Sequence, residues 1–191
     1  DVTNTKTAGV SVIDPNQTPT VEFRAATSVN VNGTTARVTV PASVATGDQL
    51  VLLTTGNNLA TTVTGPAGWT LLDSASNTTA TVQTYSGAES VSAHQVAIDT
   101  VSRAERTTPL VPVAQPGSRL IAYWADKSND TGPWTLPAEA TLRNQTIGSG
   151  SGNITAAVAD VGPVGIGTAG GLTATADSAN RRGVVWSIVV A

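Results

Sequence analysis

The stretch QLVLLTT, residues 49–55, decides the fold. It is a continuous apolar run of about seven residues closed by Gly56, too short for a typical helix and right for a strand buried on both faces. RLIAYWAD (119–126) and VVWSIVV (184–190) are further apolar strand runs along the chain. Working outward, shorter alternating runs follow at 21–26, 36–40, 60–64, 68–72, 80–85, 139–144, 154–160 and 172–176. Residues 91–101 read as one long strand or two, and 110–113, between Pro109 and Pro112, as an edge piece. Between them lie turn signals: PASVATGD (41–48), Gly65-Pro66, GSGSG (148–152) and the Gly-rich 162–171. No segment carries a capped apolar period of 3.6. The expectation is an all-β, antiparallel β-sandwich, jelly-roll-like or immunoglobulin-like, of ten to thirteen strands, with a closed barrel as the alternative. Residues 20–191 form the sandwich domain, and 1–19 an N-terminal arm or linker whose one apolar run, 10–13, can pair as an edge strand.

Composition narrows the chemistry. The 191 residues include no Cys and one His, which excludes disulfide scaffolds, thiol nucleophiles, Cys-type metal sites and His-rich centres. Only 12% are charged, the net charge is −3, and no basic stripe is present, so nucleic acid is not an expected partner. Membrane insertion is not expected either, because no apolar run approaches the length of a span. The chain opens at Asp1 with neither Met nor an apolar leader, which reads as a processed product or an excised piece.

Catalysis finds little support. His94 with Asp99 and a hydroxyl would make a triad, but no nucleophile elbow accompanies them, and on one uninterrupted strand the two face opposite sides. Asp126, Asp130 and Glu139 are the carboxylate candidates, clustered as solvated turn acids are. No catalytic residue is assigned and no enzyme is expected. For metal, Asp126, Ser128 and Asp130 place oxygens at alternate positions of a loop, which suits a structural calcium. An Asx-type turn explains them equally, and no other cofactor is implied.

Aromatics carry the binding expectation, since a sugar's C–H face stacks on Trp while its hydroxyls pair with Asn, Asp and Arg. Trp134, in a polar loop after Gly132-Pro133, reads as the exposed aromatic, although a loop Trp can also plug the end of a sandwich. Of the neighbours Tyr123 and Trp124, one points in and the other out. The expected ligand set is Trp134, Trp124, Asp126, Asn129, Arg181 and Arg182, with the two arginines able to grip a carboxylate-bearing glycan. Trp69 and Trp186 read as core anchors.

Five stretches carry a family likeness: RAATSVNVNGTTARVTVPASVATGDQLVL (24–52), GPAGWTLLDS (65–74), YWADKSNDTGPWTLPAEATLRNQ (123–145), GSGSGNITAAVADVG (148–162) and GLTATADSANRRGVVWSIVV (171–190). Together they resemble a β-sandwich module of exported multidomain proteins from high-GC Gram-positive bacteria. They are also similar to domains in phage fibre and appendage proteins. The resemblance implies an extracellular, cell-surface or virion-surface location. It implies a non-catalytic role, either recognition of glycan or cell-wall polysaccharide, or assembly with neighbouring domains or copies through the arm. Such modules carry a further hairpin or two where this chain has only residues 73–83, so the sheet is trimmed here or the chain is a piece of its product.

Overall fold

The structure, a computed structural model, describes residues 20–31, 35–56, 67–73, 80–127, 132–148, 154–180 and 182–191. Its strands are β1 Glu22–Val29, β2 Gln49–Thr54, β3 Ala80–Ser86, β4 Val91–Asp99, β5 Arg103–Thr107, β6 Val111–Val113, β7 Ser118–Lys127, β8 Thr141–Thr146, β9 Ile154–Val164, β10 Gly167–Ala169, β11 Thr173–Asn180 and β12 Gly183–Val190. Every pairing among them is antiparallel. The all-β sandwich is the observed architecture, and its sheets do not close into a barrel. Among the described residues, no helix is long and apolar enough to cross a membrane.

The centre is a five-stranded sheet in the order β4-β12-β7-β9-β8. Its three inner strands are covered on both faces, which is why they read as unbroken apolar runs. Alternation then sorts their side chains into two cores. Ile121, Tyr123, Ala125, Ala156, Val158, Val184, Trp186 and Ile188 face the sheet β1-β3-β2, meeting Val21, Val51, Leu53 and Tyr85. Leu120, Ala122, Trp124, Ala157, Ala159, Val185 and Val189 face the other way, onto Val111, Val113, Trp134, Leu172, Ala174 and Ala176.

That second cover is a bent ribbon. β5 pairs with β11 and β6 with β10, and the bend is bridged by Thr108 N–H to Leu172 O (2.9 Å) and Gly171 N–H to Thr108 O (3.0 Å). Gly170 makes the bend at φ +104°, where a Cβ would come within 2.1 Å of Pro109 O.

Several local readings change in three dimensions. Residues 36–40 and 68–72 form no strand, and Trp69, read as a core anchor, is 37% exposed. Neither run finds a ladder partner among the described residues, and an alternating pattern alone does not supply one. The stretch 91–101 ends as a strand at Asp99, and β5, unforeseen, follows a corner at 100–102. The Gly-rich 162–171 holds the short β10 as well as a turn. β2 buries Val51 and Leu53 while Leu50 and Leu52 stay half-exposed, so it is covered fully on one face only. The runs 10–13 and 60–64 lie outside the described residues.

Candidate functional site

Two clusters of buried charged side chains flank the central sheet, one on each face. On the ribbon side, Arg106 of β5 points inward and is 1% exposed. Its Nη1 lies 2.7 Å from Asp99 Oδ2 and its Nη2 3.2 Å from Asp126 Oδ1. It also donates to the carbonyls of Asn180 (2.5 Å) and Val101 (3.2 Å), so the guanidinium fork is widely satisfied. Arg103 Nε, 3.0 Å from Asp99 Oδ2, completes a set of two cations and two anions. Gly183 makes the room, since a Cβ there would fall 2.4 Å from Arg106 Nε. Trp124 Nε1 donates to Arg106 O (3.1 Å) and Leu172 O (3.3 Å), pinning the ribbon to β7. Burial pushes the Asp99 carboxyl up, but the Val101 N–H, Arg106 and Arg103 outweigh it and hold it below the usual range.

The opposite face carries Asp160 of β9. Arg143 Nε approaches it at 2.9 Å and Arg119 Nη1 at 3.3 Å, while the Tyr85 hydroxyl donates to it at 3.5 Å. Arg119 also donates to Val21 O (2.9 Å) and pairs with Glu22 (3.2 Å), which ties the central sheet to β1. Arg143 stacks over Phe23 at 4.3 Å, and Phe23 meets Tyr85 edge-on at 5.8 Å. Burial, then the Asp160 charge, raise the Tyr85 hydroxyl well above its ordinary value.

These groups act as ties between layers. Each cluster pairs a buried carboxylate with a guanidinium from another strand, Asp126 with Arg106 and Asp160 with Arg119. His94 and Asp99 do sit on one uninterrupted strand, opposite Ile188 and Gly183 respectively, and face opposite sides as expected.

Of the expected ligand set, the described members Trp134, Trp124 and Asp126 are buried and Arg182 is exposed. Trp134 is 5% exposed, not a surface platform. Thr135 bridges Thr175 by N–H···O bonds of 2.8 and 2.9 Å, and the Trp134 backbone N–H donates to Gln145 Oε1, which places the indole in the ribbon-side core. Trp124 is fully buried in that same core, and Tyr123 in the other, because the sheet has no outer face at β7. Asp126 is buried against Arg106. Among the described residues no group of three acidic or His side chains is placed to hold a metal. Asn129, Ser128, Asp130 and Arg181 lie outside the described residues. Arg182 is exposed, its carbonyl accepting from Lys127 N–H at 3.0 Å.

Arg106, Arg119 and Arg143 went unnoticed in the sequence. A signal was present for the buried pairs: Arg119 and Asp126 bracket the run LIAYWA, and Asp160 closes ITAAVA. A charge abutting an apolar run with no turn residue between them is placed to be buried and paired.

No family model matches the chain, and neither the curated proteins nor the solved structures contain a significant match.

Proposed function

We propose that this chain is a non-catalytic structural domain that assembles with copies of itself, on a cell surface or a virion. The observation that carries the reading is the outer edge of β4, which meets no backbone partner among the described residues. It runs nine residues with no Lys, Arg or Pro and only His94 and the terminal Asp99 as ionisable groups. Monomeric proteins guard such an edge with charge, proline or a cover. The low charge content agrees, since with 12% charged residues hydroxyls, amides and scattered apolar side chains supply much of the surface that would meet neighbours. The resemblance to exported and appendage modules supports the location. Light scattering over a hundredfold concentration range tests it: an ordered oligomer is expected, and a strict monomer throughout would remove the proposal.

Carbohydrate recognition is a second reading, favoured by one observation. Trp69 stands exposed in the GPAGWTLLDS motif, beside Leu71 at 70% and Leu72. Its fluorescence should shift with a binding polysaccharide, and Trp69→Ala should abolish the shift. A flat response across a wide panel would end this reading.

A further inference from the structure

We infer that the β4 edge is the acceptor for a strand donated by a second copy of this chain, and that the donated segment is residues 10–13. This rests on the assembly reading above and names the partner surface.

The acceptor is defined by its neighbours. β4 is the outermost strand of the central sheet and pairs with β12 along Val91–Asp99. Among the described residues its other edge meets no backbone partner. Gln95 and Ala97 are exposed along it, and Ile98 is 55% exposed at its far end, followed by exposed Val101. An added strand would satisfy a row of open N–H and C=O groups and cover these apolar side chains.

The donor is defined by where the described chain starts. The Thr20 carbonyl oxygen lies 2.8 Å from where a Cβ on Gly87 would sit, and Val21 N–H donates to Gly117 O at 3.1 Å. Both glycines are at the end of the sheet where β4 begins, Gly87 preceding Val91 by four residues. Residues 1–19 therefore join the molecule near the start of the open edge. Residues 10–13, VSVI, are the one apolar run among them, with Val10 and Val12 spaced to share a face. Residues 14–19 reach about 20 Å when extended, and β4 is about 30 Å long, so the run can lie along its middle.

Direction favours the match. If two copies exchange arms about a two-fold axis near these junctions, each arm heads outward along the partner's β4 and pairs with it antiparallel. Within one molecule, the end of β12 lies between Thr20 and the β4 edge, and there Ala191 N–H donates to Ser90 O while its carbonyl accepts from the Glu89 and Ser90 N–H groups.

The absence of native cysteine makes the test clean. Full chains carrying only Ser11→Cys, with one affinity tag, are mixed with full chains carrying only Gln95→Cys or Ala97→Cys, with another. Mild oxidation should give doubly tagged disulfide dimers at least tenfold above a control with Glu105→Cys on β5. Two results overturn the inference. In one, mixed dimers stay at the control level while the Ser11→Cys/Gln95→Cys double variant closes within one chain, so each arm covers its own edge. In the other, no cross-link forms in either format. If light scattering still finds an oligomer, assembly stands and β4 is the wrong surface; a monomer throughout removes assembly as well.

Discussion

Arg106 shows what a buried ion pair demands of its surroundings. Its guanidinium is stable inside because two carboxylates and two carbonyls receive it. Truncating one partner leaves the other charged and dry. Arg106→Met should therefore cost about 3–5 kcal/mol in urea unfolding, and adding Asp126→Leu to it should recover a large part. Asp99 belongs to the same cluster and extends the prediction to pH. Its carboxyl sits below the ordinary 3.8, so its contribution is present above that value and is lost as pH falls below it. From about pH 5 to about pH 2.5, stability should fall less steeply in Asp99→Asn than in the parent. The two tryptophans that exchange places relative to the sequence reading separate just as clearly. Trp134→Ala should cost about 3–5 kcal/mol, because it empties a core site. Trp69→Ala, at a site 37% exposed, should cost clearly less than Trp134→Ala.

At the scale of elements, the long runs were the legible part. β7 and β12 are marked by apolar stretches that few other structures tolerate, and both form where the sequence placed them, while β9, read as a short run at 154–160, continues to Val164. The short alternating runs were less secure, because a strand exists only where a ladder partner does. Residues 36–40 and 68–72 have the pattern without the partner, while β5 has the partner with a charged pattern, RAERT. The contact between β5 and β12 rests on a missing side chain. Gly183→Ala would press a methyl against a guanidinium held by its cluster, and it should destabilise the fold by about 1–3 kcal/mol while leaving the strand assignments unchanged by circular dichroism.

For the whole molecule, three layers mean that both tyrosines in the chain are inside. Tyr123 is raised by burial, only partly offset by its 2.6 Å hydrogen bond with Thr55, and Tyr85 by burial and the Asp160 charge. A neutral form favoured by folding contributes stability below the ordinary tyrosine value, and that contribution is lost as pH climbs above it. Phenolate absorbance should accordingly stay silent past about pH 10 and then rise together with the loss of β-sheet signal. A phenolate step preceding unfolding would contradict the burial of these rings.

The sequence alone determined that this chain is an all-β sandwich without thiol chemistry and with little charge to spare. Those properties follow from local counts: run length, alternation, turn residues and the absence of cysteine. Only the tertiary structure decided which charges are buried, which tryptophan faces water and which strand edge has no partner among the described residues. Arg106 meets Asp126 from a different layer, Thr135 finds Thr175 across the ribbon, and β4 is outermost because of the order in which the strands pair. Each depends on contacts between residues far apart in the chain, and the periodicity of a single strand carries no record of its neighbours.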